Sequence, residues 1–159
     1  MAYKDETLTF ASDKIYYTDE SETEFEVMMD WEDNIMKASA DYICEDGGDI
    51  LEIGFGMGIA ADYIQANSIT SHTIVENHPQ VIERAKAWAV GKSNVTIVEG
   101  DWYAIKDSLS TYDGIFYDTW GEEDWSRFAT ALSPLTKSGT KVTWWNNNID
   151  ASTTHDIEG

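Results

Sequence analysis

The chain has few of the residues that form covalent cross-links or bind polyanions. Cys44 is the only cysteine among 159 residues, which excludes an internal disulfide and any cluster of cysteine ligands. We expect Cys44 to be a small buried residue and expect no metal site. Lysine and arginine number 10 against 30 acidic residues, for a formal net charge of -20. Such a surface repels phosphates and argues against a nucleic-acid partner, whereas it suits a cationic substrate, a saline environment or plain solvation.

Long apolar runs are also absent. No segment approaches the roughly 20 apolar residues needed to cross a bilayer, and Met1–Glu6 has no apolar signal core. We therefore expect a cytoplasmic protein with no membrane partner. The length suits one domain. We expect a flexible acidic segment or flap at 1–24, the domain at 25–150 and a frayed tail at 151–159.

The most informative segment is Asp49–Ala60, which predicts a buried strand, a glycine-rich turn and the start of a helix. Glu76 ends a second predicted strand, twenty-two positions after Gly54. A glycine turn followed by an acid at this distance is typical of a nucleoside site. The glycines admit the ligand close to the backbone, and the acid accepts hydrogen bonds from the ribose hydroxyls. The alternative is a tight strand-to-helix turn that binds nothing.

The glycine spacing separates two classes of cofactor. A dinucleotide turn, G-x-G-x-x-G/A, needs a small residue where Ile59 stands, and here the third glycine comes one place early. With Glu52 two places before Gly54, the pattern E-x-G-x-G-x-G resembles motif I of class I S-adenosylmethionine-dependent methyltransferases. The candidate cofactor-binding residues of this turn are Glu52, Gly54, Phe55, Gly56, Met57 and Gly58.

Strands alternate with helices along the chain. The predicted strands are 49–54, 72–76, 95–99, 112–118 and 140–145, and the predicted helices are 25–44, 58–67, 79–90 and 122–132. Pro134 and Gly139 predict a turn before the last strand. This order indicates an α/β fold, Rossmann-like, with a doubly wound and mostly parallel sheet. In such sheets the ligand lies beyond the carboxyl ends of the strands.

Two groups of residues that follow strands are further cofactor candidates. Asn77 comes directly after Glu76. Gly100, Asp101 and Trp102 follow the third strand, where Trp102 could stack on the adenine and Asp101 could accept a hydrogen bond from its amino group. The alternative for Trp102 is an aromatic at the rim of the core.

Two acids are candidates for the chemistry. Asp118 ends the fourth strand over the reactive end of the cofactor, where it could contact cofactor, bind a cation or take a proton; it could instead cap a helix. Glu32 interrupts the apolar face of the helix predicted from Phe25 to Cys44. There it is either a buried functional carboxylate or a solvated residue at the edge of that face.

Several segments together resemble one enzyme family. They are Val27–Met36, Leu51–Ala61, Thr73–Asn77 and Asp113–Thr119. These segments resemble guanidinoacetate N-methyltransferase and the related fungal arginine δ-N-methyltransferases, over about residues 25–148. The most specific parts are the M-x-x-W-E helix and the Gly-Phe-Gly-Met turn.

The resemblance implies a reaction and roles for residues. Methyl passes from S-adenosylmethionine, which leaves as S-adenosylhomocysteine, to a guanidino nitrogen. Glu32 and Asp118 clamp the guanidinium, and Asp118 accepts the proton. Glu76 binds the ribose, and Gly100–Trp102 lie beside the adenine. The family's acceptor-binding loop, which holds a carboxylate by backbone amides, falls on Asn147, Asn148 and Ile149.

Two departures from the family affect this interpretation. The family continues with a helix and a β-hairpin where this chain stops at Gly159, so we expect five sheet strands rather than seven. The last strand is then an uncovered edge that favours a homodimer. Three asparagines replace the family's Leu-Thr-Ser-like loop, which leaves the acceptor open.

The sequence thus predicts an S-adenosylmethionine-dependent N-methyltransferase with a guanidino or similar cationic small-molecule acceptor. One alternative is a truncated fold that binds S-adenosylmethionine without turnover. Another is methylation of arginine in proteins, because an acidic surface suits basic targets. A dinucleotide oxidoreductase is disfavoured by Ile59.

Overall fold

The computed structural model describes residues 3–29, 32–119 and 125–144. The strands are β1 (Thr9–Phe10), β2 (Lys14–Thr18), β3 (Glu24–Met29), β4 (Asp49–Ile53), β5 (Ser71–Glu76), β6 (Val95–Glu99), β7 (Tyr112–Tyr117) and β8 (Thr136–Trp144). The helices are α1 (Asp33–Ile43), α2 (Ile59–Ala66), α3 (Pro79–Ala89), α4 (Trp102–Ile105) and α5 (Trp125–Leu132). Within these ranges, no helix has both the length and the apolar character needed to span a bilayer.

A parallel sheet of five strands forms the centre of the fold, in the order β6-β5-β4-β7-β8. This confirms the predicted α/β, doubly wound architecture. The chain moves outward from β4 to β6 and then returns to β7 beside β4. The strand order therefore reverses between β4 and β7, and a ligand crevice is expected beyond the carboxyl ends of these two strands.

Alternating side chains of β4 build a core on each face of this sheet. Ile50 packs with residues of α1, α2 and α3 on one face. Leu51 and Ile53 pack with α4 and α5 on the other face. Because every second residue of a strand points the same way, Glu52 shares the face of Ile50.

The N-terminal region forms a second, antiparallel sheet, β1-β2-β3. Ile15 of β2 pairs with Met28 of β3, and both are buried in the core on the α1–α3 side. The helix predicted from Phe25 was wrong over residues 25–29, which belong to β3, because an apolar spacing that fits a helix also fits a strand when a partner such as β2 is available. Within the segment 1–24, which was predicted to be flexible or a flap, two stretches form β1 and β2.

The end of the parallel sheet also differs from expectation. Pro134 lies in a 3-10 turn at Ser133–Leu135, and β8 begins directly after it. Gly139 lies inside β8, where the pairing with β7 shifts register, so the turn predicted at Gly139 was wrong. The start of the helix predicted at 122–132 lies outside the described residues.

Candidate active site

A cavity of about 470 Å³ lies at the carboxyl end of the parallel sheet. It is lined by Tyr3, Lys4, Val27, Met28, Ile53, Gly54, Gly56, Val75, Glu76, Asn77, Gly100, Asp101, Trp102, Asp118 and Thr119. This set joins the glycine turn after β4 to the residues that follow β5, β6 and β7. The candidates that follow separate strands in the sequence are thereby brought together.

The glycines of the turn are required by backbone conformation and by space. Gly54 has a φ of 93°, and a Cβ at that position would overlap the carbonyl oxygen of Asp118. Gly56 has a φ of 55°, and its Cβ would overlap the Sδ of Met28. Met28 also accepts a hydrogen bond from the Met57 N–H at 3.0 Å. The turn therefore packs tightly between β7 and the N-terminal sheet, in a conformation that favours glycine.

Glu76 lines the cavity and hydrogen-bonds to backbone groups around it. Its Oε2 accepts a hydrogen bond from the Phe55 N–H, and its Oε1 accepts from the N–H groups of Asn77 and His78, each at 2.9 Å. The Glu76 residue is 7% exposed and lines the cavity. One carboxylate thus ties the glycine turn to the segment after β5, and Oε2, which accepts a single hydrogen bond, has a lone pair left for a ligand.

Asp101 and Trp102, which follow β6, each have a local structural role and also line the cavity. Asp101 is the N-cap of α4, and its Oδ1 accepts from the N–H groups of Tyr103 at 2.9 Å and Ala104 at 3.2 Å. Trp102 is 5% exposed and packs edge-on against Tyr117. Its Nε1 is buried with no hydrogen-bond partner in the described part of the chain. The indole is therefore a core aromatic whose ring edge carries an unused donor.

Glu52 lies away from the cavity, contrary to its predicted contact with cofactor. It is 0% exposed and does not belong to the cavity lining. Its Oε2 lies 2.7 Å from Nε2 of His72, and Gln65 contacts Nδ1 of the same ring at 3.1 Å. Burial raises the pKa of Glu52, and the His72 contact opposes that rise. Any effect of Glu52 on a ligand therefore passes through the glycine turn.

Asp118 and Glu32 are two acids that hold their protons unusually tightly. Burial, followed by the negative charges of Glu32, Glu52 and Glu76, raises the pKa of Asp118 to about 7. Burial raises the pKa of Glu32 to about 7 as well. Glu32 is 8% exposed at the N-cap position of α1, so it is buried rather than solvated, but it is not among the residues that line the cavity, whereas Asp118 is. Acids with raised pKa values would ionise more readily if a cation bound beside them.

Some cavity residues were not found from the sequence. Val27 and Met28 belong to β3, which was predicted as helix, and Thr119 follows Asp118 directly. Tyr3 and Lys4 lie in a short 3-10 turn at Tyr3–Asp5, far from the glycine turn in sequence. A local pattern gives no signal for contacts between segments so distant along the chain.

The remaining candidates contribute little from their side chains, or lie outside the described residues. The Phe55 side chain is buried in the core, and Gly58 is the N-cap of α2 with a φ of 81°. Met57 is a partly buried residue packed against the same core. Asn147, Asn148 and Ile149 lie outside the described residues.

Comparisons with known proteins were made for the sequence and for the fold. A family model described as Guanidinoacetate N-methyltransferase matches residues 12–140, which begins before the boundary predicted at residue 25. The protein arginine N-methyltransferase 2 of Yarrowia lipolytica is 36% identical over 132 residues, covering 72% of this chain and 28% of the relative. That of Saccharomyces cerevisiae is 36% identical over 140 residues, covering 74% and 34%. The chain thus spans about a third of the length of these relatives.

Solved structures share the fold at low sequence identity. The N-methyltransferase NodS from Bradyrhizobium japonicum aligns with a TM-score of 0.59 at 17% identity, covering 72% of this chain and 67% of NodS. Coclaurine N-methyltransferase, solved with N-methylheliamine and S-adenosylhomocysteine, aligns with a TM-score of 0.55 at 19% identity, covering 84% and 39%. These likenesses support the Rossmann-like arrangement of strands and helices.

Proposed function

Because this chain belongs to the guanidinoacetate N-methyltransferase family, we propose that it is an S-adenosylmethionine-dependent N-methyltransferase whose acceptor is a guanidino compound or a similar small cation. The observation that carries this proposal is Asp118, an acid that lines the cavity and lies within reach of the charge of a second acid, Glu32. Asp118 and Glu32 each have a pKa raised to about 7. A bound guanidinium would let both acids ionise and would present its planar N–H donors to their oxygens.

The cavity fits the cofactor of this family. Its volume of about 470 Å³ lies within the roughly 300–1,000 Å³ of typical small-molecule sites. Gly54 and Gly56 line the cavity without a side chain, so a ligand there can approach their backbone. The buried Nε1 of Trp102 has no partner in the described residues, and a polar ligand group would satisfy it. Glu76, Asn77, Gly100, Asp101 and Trp102 would hold the nucleoside portion, and Asp118 would lie against its reactive end.

The acids then have distinct tasks in methyl transfer. S-adenosylmethionine supplies the methyl group when bound and leaves as S-adenosylhomocysteine. Glu32 and Asp118 would hold and orient the guanidino group of the acceptor, which would reduce the entropic part of the barrier. The Asp118 carboxylate would stabilise the positive charge of the acceptor and would then take the proton that the nitrogen gives up.

Methyl transfer from labelled S-adenosylmethionine tests this proposal. Guanidinoacetate and free arginine are compared with glycine, which has an amine but no guanidino group, while calorimetry measures cofactor binding on the same sample. We expect cofactor binding and transfer to at least one guanidino compound. Binding with no transfer to any acceptor would instead support a module that holds S-adenosylmethionine without turnover.

A second candidate acceptor is arginine within a protein. The curated relatives are named protein arginine N-methyltransferase 2, and the net charge of -20 attracts basic targets. An arginine-containing basic peptide, with a lysine-substituted peptide of equal charge as its control, belongs in the same assay. Label in the arginine peptide alone would assign the acceptor to this class.

We also propose domain boundaries, an oligomeric state and a cellular location for this protein. We place the catalytic domain at residues 25–150, with residues 1–24 as its flap, in a cytoplasmic protein. Among the described residues, β8 pairs only with β7, so its open edge supports a homodimer. Sedimentation velocity tests the dimer, and a monomer at every concentration would exclude it.

A further inference from the structure

Glu52 and His72 form a fully buried contact at the base of the glycine turn. Both residues are 0% exposed, and Oε2 of Glu52 lies 2.7 Å from Nε2 of His72. Glu52 belongs to β4 and stands two positions before Gly54, whereas His72 belongs to β5, the strand that ends at Glu76. The contact therefore joins the strand that leads into the turn to the strand that carries the candidate ribose acid.

Gln65 determines which nitrogen of the His72 ring carries the proton. It lies in α2, the helix that follows the turn, and its amide Nε2 lies 3.1 Å from Nδ1 of His72. An amide nitrogen only donates, so Nδ1 is the acceptor and the ring proton is on Nε2. Nε2 then donates to Oε2 of Glu52. A ring in this arrangement is uncharged, so it supplies no positive charge to Glu52.

The second oxygen of Glu52 has no hydrogen-bond partner. Oε1 is buried and unpaired within the described part of the chain. No lysine or arginine among the same residues is buried, so no strong cation offsets a charge on Glu52. An ionised carboxylate there would be a buried charge with one hydrogen bond, which is very costly. A proton on Oε1 removes the charge and leaves only an unpaired hydroxyl, which costs much less.

The ionisable groups around Glu52 also oppose its ionisation. Burial raises the pKa of Glu52, the contact with His72 lowers it, and the charges of Glu76 and Asp62 raise it. The charges of Glu52 and Asp118 also repel each other, so a proton on Glu52 favours ionisation of Asp118 in the cavity. The groups that face the pair are His72 and Glu76 of β5, Asp62 of α2, Cys44 at the end of α1, Asp118 beyond β7 and, from α3, the uncharged ring of Trp88.

From this geometry we propose that Glu52 is a protonated, uncharged positioning residue, which together with neutral His72 holds the glycine turn in place for the cofactor by hydrogen bonding rather than by charge. The protonation follows from the contacts, whereas the effect on cofactor rests on the proposed function. Glu52 does not line the cavity, so it acts through the turn that β4, β5 and α2 support. A role for its charge would instead require an ionised carboxylate.

Two variants separate the hydrogen bond from the charge. Glu52→Gln has the shape of the protonated acid and retains an oxygen that accepts from Nε2 of His72. Glu52→Leu retains an apolar side chain of similar bulk but removes that acceptor. Glu83→Gln is the matched control, since Glu83 is an exposed residue of α3.

Urea unfolding between pH 5 and pH 8 is the first measurement. In the unfolded chain Glu52 has its ordinary pKa of 4.5 and is ionised over this range. The folded wild type then binds one proton more than folded Glu52→Gln, whereas the two unfolded chains bind equal numbers. The unfolding equilibrium constant of the wild type, divided by that of the variant, should therefore rise about tenfold for each pH unit. Glu83→Gln should show no such slope, and a ratio independent of pH in Glu52→Gln would overturn the proposal.

Carbon-13 NMR of the wild type tests the protonation without any variant. The side-chain carboxyl resonance of Glu52, assigned through its bonds to the backbone, should keep the chemical shift of a protonated acid from pH 5 to pH 8. The chemical shift of a carboxylate at pH 7 would show that Glu52 is ionised and would exclude the neutral pair.

Calorimetry with S-adenosylhomocysteine tests the positioning role. Glu52→Gln should bind within about threefold of the wild type, and Glu52→Leu should bind at least about tenfold more weakly. A large loss in Glu52→Gln would show that the charge is required, and unchanged binding in Glu52→Leu would exclude a positioning role. If the wild type binds no S-adenosylhomocysteine, the proposed function fails together with this role, while the unfolding and NMR data still decide whether Glu52 is protonated.

Discussion

Gly54 and Asp118 lie so close at the carboxyl ends of β4 and β7 that a Cβ on Gly54 would overlap the carbonyl oxygen of Asp118. The Asp118 N–H in turn donates to the carbonyl oxygen of Ile53 at 2.9 Å. The first glycine of the turn and the candidate catalytic acid are thus parts of one packed unit. A change at Gly54 displaces Asp118 as well as the cofactor turn.

The first prediction concerns Gly54→Ala. The new methyl group would meet a backbone oxygen, so we expect the free energy of unfolding to fall by more than about 3 kcal/mol and S-adenosylhomocysteine binding to be lost. Gly91→Ala is a matched control: its φ of 81° is similarly strained, but nothing lies within 4 Å of its Cβ. We expect a cost there of about 1 kcal/mol and normal binding. Urea unfolding and calorimetry check both, and equal losses would refute the steric explanation.

The second prediction concerns Glu76→Gln. Gln retains one oxygen acceptor but replaces the other with an NH₂ group, which would face a backbone N–H and lose a charge-assisted bond. We expect cofactor affinity to fall by about 10- to 100-fold. Glu99→Gln is the control, because Glu99 is the register partner of Glu76 on β6 and its side chain is 53% exposed. Calorimetry with S-adenosylhomocysteine should show no change in Glu99→Gln; similar losses in both variants would mean that the net charge matters rather than the Glu76 contacts.

The place of the glycine turn and Glu76 at the cavity was predictable because their sequence signals are local. Gly54 and Gly56 stand where the backbone has positive φ, and such positions select glycine whatever the rest of the chain does. The strand Val95–Glu99 was predicted with the bounds that it has, since a short β-rich run between turn residues fits few other structures. Glu76 then follows from its spacing to the turn.

The misses share a non-local cause. Phe25 and Met28 fit a helix by spacing, and only pairing with β2 selects a strand. Glu52 stands in the methyltransferase-like motif, yet the pleat turns its side chain toward His72, a partner that no spacing rule specifies. The bonds from Gln80 to Leu8 join residues 72 positions apart. Partners this distant are known only once the sheet and helices have assembled.

The third prediction concerns catalysis and its pH dependence. Asp118 and Glu32 have pKa values raised to about 7, so below this pH both are protonated and can neither attract a guanidinium nor accept a proton. Activity should therefore rise as the pH increases from 6 to 8. Asp118→Asn should lower turnover by at least about 100-fold with cofactor affinity retained. Asp107→Asn, whose side chain is 88% exposed, is the control, and unchanged turnover in Asp118→Asn would exclude the proposed mechanism.

The fourth prediction concerns stability in the absence of ligand. The pKa of Asp118 rises from 3.8 to about 7 on folding, so between these values the folded state binds more protons than the unfolded state. The free energy of unfolding should then fall as the pH rises through this window. Below pH 3.8 the stabilising contribution of the protonated Asp118 is fully present. Each pKa unit corresponds to about 1.36 kcal/mol, and partial solvation reduces the total, so we expect Asp118→Asn to stabilise the protein by about 2 kcal/mol at pH 8.

Urea unfolding at pH 5 and pH 8 checks this, with Glu83→Gln as an exposed control. A variant that is stabilised at pH 8 and inactive shows that Asp118 is retained for its chemistry at a cost in stability, whereas destabilisation at both pH values would show that its carboxylate supports the fold.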